Sequence, residues 1–207
     1  MTLKEKLLKL NRNRWLDIGC NRNFENKFYY MDVFLEKEIP KQYRLKYFKI
    51  NILKATKKQL ESVGKFDLVR MQHVLEHVGY EDGLVVLKNV ARILAPKGIL
   101  IITVPDLMIN IKKYLNKSFN KWRTFRSWAQ KRIPAGAPPS FYFSVYAHSL
   151  PVTPHKWCYD YDGLKYELSL SDCYKKIKKL KFTDKLASYP FTHNRPEEDI
   201  CIIANKK

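Results

Sequence analysis

Short apolar runs alternate with stretches of helical periodicity in the first half of the chain, and this alternation limits the fold more than any other feature. Five runs predict β-strands, at residues 15–18, 28–33, 47–50, 66–69 and 99–104. Residues 83–94 place their apolar side chains on one face of a helix, and a turn at Pro96, Lys97 and Gly98 separates it from the next strand. Strands that alternate with helices are typical of a parallel sheet with helices on its faces. The sequence therefore predicts an α/β fold.

The alternation stops after residue 104 and resumes near the carboxyl terminus. Residues 107–159 contain five prolines and many aromatic side chains, and they predict an irregular insertion. Residues 161–180 predict a helix, and residues 182–189 and 200–204 predict two antiparallel strands. A short amphipathic helix is expected at residues 3–10.

Length and composition restrict the class of protein further. With 207 residues, 45% of them hydrophobic, the chain suits a single domain over residues 1–207. It has no run of about 18 apolar residues that could span a membrane, and its amino terminus lacks a signal-peptide pattern. Its four cysteines show no C-x-x-C spacing, which indicates reduced thiols and hence a cytoplasmic location.

Positive charge is the strongest compositional bias, with a formal net charge of +19 at pH 7. An anionic partner such as nucleic acid, a phospholipid surface or a phosphorylated substrate would account for it. AT-biased coding, which enriches Lys, Ile, Asn and Tyr together, would also account for it. Residues 107–159 contain nine Lys or Arg and no Asp or Glu, and Trp122, Phe125 and Trp128 lie between the basic residues. The insertion therefore predicts a cationic, aromatic surface.

The first predicted strand and the loop after it indicate a nucleoside site. The strand ends in Asp17, Ile18 and Gly19, and Asp32 lies near the end of the second strand. Open α/β sheets bind ligands at the carboxyl ends of their strands, where a glycine allows close approach and an acid can accept ribose hydroxyls. The chain contains neither G-x-G-x-x-G nor G-K-[ST], so the loop does not predict a phosphate cradle.

Four stretches carry a family resemblance: LDIGC, YMDV, FDLVRMQHVLEHV and RILAPKGILIITVPD. In this order they resemble the motifs of class I S-adenosylmethionine-dependent methyltransferases, over residues 14–106. The resemblance implies a Rossmann-like, mostly parallel seven-stranded sheet with an antiparallel C-terminal hairpin. It also implies that S-adenosylmethionine lies across the ends of the first four strands, and that residues 107–159 form a lid over the acceptor.

Two features depart from the usual family pattern. Residues 19–23 read G-C-N-R-N instead of G-C-G-x-G, with Asn21 in place of the second glycine. Asparagine tolerates left-handed backbone conformations better than most residues do, so the turn can survive. The crossover to the second strand is also short, as in members of the family that resemble enzymes of surface-glycan biosynthesis.

The resemblance assigns seven residues to the cofactor: Asp17, Gly19, Asn21, Asp32, Asn51, Ile52 and Gln72. It implies that Asp17 and Gly19 face the methionine part and Asp32 the ribose. Asn51 and Ile52 would flank the adenine, and the last of the seven would line the pocket at the end of the fourth strand.

The stretch HVLEH, residues 73–77, matches the H-x-x-E-H signature of one class of zinc peptidases. In those enzymes the signature lies on a long helix, whereas here it follows the strand FDLV directly, so we do not expect a peptidase. Two interpretations remain. Glu76 and His77 begin a helix, where a carboxylate is favourable, or His73, Glu76 and His77 bind a divalent ion.

The second interpretation rests on a resemblance to E-x-x-E-H in O-methyltransferases of the ubiquinone pathway and of small-RNA 3′ ends. There the two acids and the histidine bind a divalent ion that positions the acceptor hydroxyl. A histidine in place of the first acid disfavours Mg²⁺, because imidazole suits softer metals. We expect the helix start, and no bound metal.

Methyl transfer to a hydroxyl group needs a base near neutral pH, for which histidine is suited. The candidates are His155, where the lid returns to the sheet, and then His73 and His148. The cationic lid predicts O-methylation of a small sugar or glycan intermediate that carries negative charge, with a peripheral membrane surface as a further partner. Two alternatives remain open: an RNA O-methyltransferase, and a degenerate, non-catalytic binding protein of the same fold.

Overall fold

The computed structural model describes residues 14–20, 24–34, 36–117, 137–138, 140–141, 154–180 and 198–207. Seven strands lie in these ranges: β1 (Trp15–Ile18), β2 (Phe28–Asp32), β3 (Tyr47–Lys49), β4 (Phe66–Gln72), β5 (Leu94–Pro105), β6 (Tyr174–Leu180) and β7 (Asp199–Lys206). They form one sheet in the order β3-β2-β1-β4-β5-β7-β6. Strands β1 to β5 are mutually parallel, and β7 runs antiparallel to both β5 and β6. The predicted fold class is confirmed.

Four α-helices whose two ends both lie in the described ranges accompany the sheet: α1 (Lys57–Ser62), α2 (Tyr80–Ile93), α3 (Leu107–Leu115) and α4 (Tyr161–Leu170). Leu60 of α1, Val86 of α2 and Leu164 of α4 belong to the larger apolar core, together with Leu16 of β1. Trp15, the neighbour of Leu16, points to the other face and joins a smaller core. This alternation follows from the two-residue period of a strand, and it leaves β1 buried on both faces.

Helix α2 begins three residues before the predicted position. Gly79 is its N-cap, and Glu81 and Asp82 lie in its first turn, where acidic side chains interact favourably with the positive end of the helix. The predicted turn at residues 96–98 does not separate α2 from β5, because β5 starts directly at Leu94. Residues 95–98 instead form an irregularity inside the strand, with Lys97 at φ +61°.

The prediction of a helix over residues 161–180 is wrong beyond Leu170. Asp172, at φ +54°, turns the chain, and the next residues form the edge strand β6. Tyr174 of β6 is buried and donates a hydrogen bond from its hydroxyl to the carbonyl of Leu87. The lysines of β6 suit an edge strand, because charged side chains prevent pairing with other chains. The predicted strand at 182–189 and the leading helix at 3–10 lie outside the described residues.

The start of the predicted insertion is regular. Helix α3 begins at once after β5, with Asp106 as its N-cap; Asp106 Oδ1 accepts hydrogen bonds from the backbone N–H groups of Met108 and Ile109. The aromatic lid residues Trp122, Phe125 and Trp128, and also His148, lie outside the described residues. No helix in the described ranges is long and apolar enough to cross a bilayer.

Candidate functional site

The carboxyl ends of β1 to β5 meet at one edge of the sheet because these strands are parallel. The chain order reverses between β1 and β4, since β2 and β3 lie on one side of this pair and β5 lies on the other. Open α/β sheets bind ligands in the crevice at such a reversal. The candidate site is therefore the edge at which β1, β2, β3 and β4 end.

Gly19 follows β1 directly and has a backbone that favours glycine, with φ +72°. Its N–H donates a hydrogen bond to the carbonyl of Met31 at 2.8 Å. A Cβ atom on Gly19 would lie only 2.3 Å from Cγ2 of Val74, which follows β4. Both the conformation and the space thus require glycine at this turn.

Asp32 is the last residue of β2, and its carboxylate is half-buried at the same edge. Its Oδ1 accepts a hydrogen bond from the backbone N–H of Val33 at 2.8 Å. The thiol of Cys20 lies 3.9 Å from its Oδ2. The ends of β1 and β2 are therefore in contact, and the carboxylate of Asp32 is held in a fixed orientation.

Asn51 and Ile52 follow β3 in a turn. Asn51 is exposed, and its Oδ1 accepts hydrogen bonds from the backbone N–H groups of Leu53 and Lys54. Ile52 is buried in the larger core, and its carbonyl accepts a hydrogen bond from the side chain of Asn89 at 2.8 Å. The turn is therefore anchored to α2, with Asn51 on its exposed side.

The remaining predicted cofactor residues divide between the described and the undescribed parts of the chain. Gln72 is the last residue of β4 and is half-buried. Asn21 lies outside the described residues. The structure thus brings Gly19, Asp32, Asn51 and Gln72 to one edge of the sheet, as their positions at strand ends lead one to expect.

Asp17 is engaged within the protein by an arginine that the sequence analysis did not single out. Arg70, on the neighbouring strand β4, donates from Nε to Oδ1 of Asp17 at 3.0 Å and from Nη2 to Oδ2 at 2.7 Å. A third bond runs from Nη1 of Arg70 to Glu25 at 2.8 Å. Burial alone would lower the pKa of Arg70, but the two carboxylates raise it. We call Asp17, Glu25 and Arg70 the arginine cluster.

The stretch HVLEH does not begin the α-helix that follows β4, so the expected helix start is wrong. His73 has φ +53° and turns the chain out of β4, and Leu75–His77 form a single 3₁₀ turn. Helix α2 begins only at Tyr80, after Gly79. The motif therefore does not lie on a long helix, as it does in zinc peptidases.

His73 is held between two buried carboxylates. Its Nδ1 lies 3.1 Å from Oε1 of Glu76, and its Nε2 lies 3.0 Å from Oδ2 of Asp199 at the start of β7. Burial by itself would lower the pKa of His73, but the bonds to Asp199 and Glu76 raise it to about 9. The same contacts hold the pKa of Glu76 below its usual value, although burial acts in the opposite direction. His73 is thus an imidazolium near neutral pH.

His155 lies close to His77 in space, although the two residues are far apart in sequence. The backbone N–H groups of Lys156 and Trp157 both donate to the carbonyl of Glu76, at 2.8 and 3.2 Å. The rings of His77 and His155 meet edge to face, with their centroids 4.9 Å apart. Ligand atoms of Glu76, His77 and His155 all lie within 4.8 Å of one another. We call these three residues the histidine cluster.

Sequence reasoning missed several of these contacts. It did not identify Arg70, although an arginine inside the mostly apolar strand FDLVRMQ predicts a partner of opposite charge, because charged residues are rarely buried unless they are paired. It also missed Asp199 as the partner of His73, and it grouped His73 rather than His155 with Glu76 and His77. No local pattern reveals such pairs, because they depend on strand register and on the return of the chain at residues 154–158.

Comparison with known families places this geometry in context. A family model described as a methyltransferase domain matches residues 2–135 of the chain. No curated protein matches the sequence significantly.

Solved structures show a similar fold at low sequence identity. An O-methyltransferase family protein from Burkholderia thailandensis matches with a TM-score of 0.53 and 10% identity, over 99% of this chain and 55% of that one. The CurJ carbon methyltransferase matches with a TM-score of 0.53 and 14% identity, over 96% of this chain and 50% of that one. Human N-acetylserotonin methyltransferase, solved with S-adenosylmethionine, matches with a TM-score of 0.50 and 11% identity, over 93% of this chain and 47% of that one. This chain thus spans about half the length of those proteins, and with residues 2–135 matched it belongs to the methyltransferase-domain family.

Proposed function

We propose that this chain is an S-adenosylmethionine-dependent methyltransferase that acts on an oxygen atom of a small, anionic sugar or glycan intermediate. The observation that supports this most is a convergence at one edge of the sheet. The strand ends that suit the cofactor meet there, and Glu76 and His77 of the histidine cluster lie in the 3₁₀ turn that comes after β4.

The residues present fit the cofactor. Gly19 lets the backbone approach a ligand closely, because its turn leaves no room for a side chain. Asp32 offers carboxylate oxygens at a strand end, where an acid can accept bonds from two ribose hydroxyls. Asn51 and Gln72 would lie beside the adenosine part. Because Arg70 uses both carboxylate oxygens of Asp17, we assign Asp17 to fixing the strand end rather than to bonding the methionine part.

The chemistry needs positioning and the removal of one proton. The cofactor supplies a methyl group on a sulfonium, so that an acceptor oxygen bonds to the methyl carbon while the carbon–sulfur bond breaks and its electron pair stays on sulfur. The side chains of the histidine cluster would orient the acceptor hydroxyl and take up its proton, with His155 as the first candidate. A general base of this kind contributes about 10²–10⁴-fold to the rate.

His73 suits a positioning role better than that of a base. Its two ring nitrogens face the carboxylates of Glu76 and Asp199, and its pKa of about 9 keeps the imidazole charged near neutral pH. It would therefore fix Glu76 beside the acceptor. His148, the third candidate, lies outside the described residues.

The charge near the site supports an anionic acceptor. Helix α3 leaves the same edge of the sheet, and two lysines are exposed there, Lys112 in the helix and Lys117 just after it. The whole insertion at 107–159 contains no acidic residue. A phosphate or carboxylate on the acceptor would be attracted to this region, with a salt-sensitive affinity.

Calorimetric titration with S-adenosylhomocysteine tests the cofactor site. The variant Asp32→Asn keeps the oxygen that accepts the Val33 amide but loses the charge and one acceptor, so the affinity should fall about tenfold or more. Asp162→Asn makes the same change at an exposed acid of α4 and should leave the affinity unchanged. No binding at millimolar ligand would favour the non-catalytic binding protein.

The acceptor class is tested with methyl-labelled S-adenosylmethionine and a panel of nucleotide-sugars, anionic glycans and RNA. Label on a hydroxyl of an anionic sugar is the expected result. Label on RNA, with binding that weakens steeply as salt rises, would instead establish the RNA alternative.

A further inference from the structure

The histidine cluster has the composition of a metal site. Glu76, His77 and His155 each offer a ligand atom, and these atoms lie within 4.8 Å of one another. Two imidazoles and one carboxylate are the donors that zinc and related transition metals take in proteins. The question is whether this proximity is built into the fold or incidental.

The backbone holds the two halves of the cluster together. Residues 154–158 are tied to the turn at Leu75–His77 by two N–H groups, those of Lys156 and Trp157, which donate to the same carbonyl of Glu76. These bonds lie directly beside His155 in sequence. The position of its ring against His77 is therefore set by main-chain contacts and not by the side chains alone.

His77 has the hydrogen bonding that is typical of a metal ligand. Its Nδ1 lies 3.4 Å from the carbonyl of Pro154, to which a ring N–H can donate. Its Nε2 then carries the lone pair and faces Oε1 of Glu76 at 4.0 Å. That distance is too long for a hydrogen bond. Metal-bound histidines commonly donate their second ring nitrogen to a carbonyl in this way.

Glu76 has an oxygen that the protein does not satisfy. Its side chain is only 1% exposed, and Oε1 bonds to His73. Its Oε2 is buried and has no hydrogen-bond partner among the residues that the structure describes. A buried carboxylate oxygen without a partner reduces the stability of the fold, so its presence indicates that a ligand binds there.

His73 does not belong to the site. Both of its ring nitrogens face carboxylates, one of Glu76 and one of Asp199, and so neither nitrogen offers a lone pair to a metal ion. His155 takes its place as the third donor, and with its lone pair on the ion it would then act as a ligand and not as the base. His73 instead fixes the orientation of the Glu76 carboxylate.

We propose that Glu76, His77 and His155 bind a divalent transition-metal ion of the Zn²⁺ or Mn²⁺ type. Three protein ligands leave a coordination position open, as in catalytic metal sites, and Mg²⁺ is disfavoured because it prefers oxygen ligands. Tetrahedral ligands with bonds of about 2.1 Å lie about 3.4 Å apart, so the cluster must tighten by about 1 Å on binding. If the proposed methyl transfer is correct, on which this role rests, the open position would take the acceptor hydroxyl and ease the loss of its proton.

Titration of tag-free, chelator-treated protein with Co²⁺ tests the site through the visible absorption of bound cobalt, and calorimetry with Zn²⁺ measures the affinity. We expect one ion per chain and at least tenfold weaker binding in His77→Ala and in His155→Ala. The exposed neighbour Lys156→Ala keeps its backbone N–H and should bind as the wild type does. Glu76→Gln, which retains an oxygen for His73, should also weaken binding, whereas Glu81→Gln at an exposed acid should not.

The absence of stoichiometric Co²⁺ and Zn²⁺ binding would overturn the proposal, as would binding that neither histidine variant weakens. Circular dichroism of each variant distinguishes loss of the site from loss of the fold. S-adenosylhomocysteine binding by the same metal-free protein separates this inference from the proposed function. Cofactor binding without metal binding refutes only the metal site, and metal binding without cofactor binding refutes only the methyltransferase.

Discussion

Two polar clusters with buried charged residues lie near the carboxyl ends of β1 and β4, and they differ in how completely these buried charges are bonded. In the arginine cluster, both oxygens of Asp17 accept bonds from Arg70, and a third arginine nitrogen bonds to Glu25. In the histidine cluster, Oε2 of Glu76 has no hydrogen-bond partner in the described part of the chain, and Nε2 of His77 lies 4.0 Å from the other oxygen, Oε1. Both oxygens of Asp17 are thus engaged within the protein, whereas one oxygen of the buried Glu76 is not.

This difference separates a structural role from a functional one. A buried ion pair with bidentate geometry joins two strands, and removing one partner leaves an uncompensated charge. A buried group that is only partly bonded costs stability in the absence of a ligand, and such groups concentrate at functional sites. We therefore expect changes in the arginine cluster to affect folding, and changes in the histidine cluster to affect binding and turnover.

Arg70→Ala should have the largest effect on stability. It leaves the carboxylate of Asp17 buried, at 3% exposure, without its cation. The free energy of unfolding should fall by about 3–5 kcal/mol, measured by urea denaturation. Arg92→Ala is the matched control, because Arg92 is an exposed arginine with a hydrogen bond to Asn89. Equal losses in the two variants would mean that the arginine cluster is not structural.

The pH dependence of stability should reveal His73 as the link between Glu76 and β7. Its pKa is raised to about 9 in the folded chain, above the ordinary value of about 6.5. Its stabilisation is therefore complete below about pH 6.5 and is lost as the pH rises through 9. The loss between pH 7 and 9.5 should be about 2 kcal/mol.

His73→Asn provides the comparison, because asparagine tolerates the positive φ of this position and carries no charge. The difference in unfolding free energy between wild type and variant should shrink over this pH range, as measured by urea denaturation at several pH values. A constant difference would show that His73 is not charged in the folded protein.

Gly19 and Val74 connect the two clusters, since Gly19 follows Asp17 closely and Val74 lies between His73 and Glu76. Gly19→Ala should cost about 1–2 kcal/mol through its positive φ alone, with a further loss from contact with Val74. Adding Val74→Ala should relieve only the contact, which a double-mutant cycle measures. Gly79→Ala, where no atom lies within 4 Å of the added Cβ, should cost less. An equal loss of unfolding free energy in Gly19→Ala and Gly79→Ala would contradict the requirement for glycine at position 19.

Strands β1 and β4, at the centre of the site, were predictable because they are largely buried on both faces and contain apolar runs. Four of the five predicted in the first half both start and end within three residues of the observed bounds, and β5 starts five residues earlier because it incorporates the turn at residues 96–98. Strand β6 was not predictable in the same way. It is an edge strand in which only Tyr174 is fully buried, and its sequence YKKIKKL also fits a helix.

The residues of the candidate site divide in the same manner. Gly19, Asp32 and Gln72 were predictable from their positions at strand ends, because parallel strands end at one edge. The partners of Asp17, His73 and His77 were not, because each pair joins segments far apart in sequence through strand register or chain return. Sequence reasoning thus located the edge, but not which of its polar groups are already bonded.

Glu25→Gln should have the smallest effect, and it tests how much of the arginine cluster is needed. Glu25 is about a quarter exposed and binds only one nitrogen of Arg70, so Asp17 keeps both of its bonds. Water can replace the lost partner, and the unfolding free energy should fall by about 0.5–1 kcal/mol. Glu61→Gln breaks an exposed pair with Lys57 and should change nothing measurable. A loss for Glu25→Gln as large as that for Arg70→Ala would show that the three charges act as one unit, and that the bidentate pair alone does not hold β1 to β4.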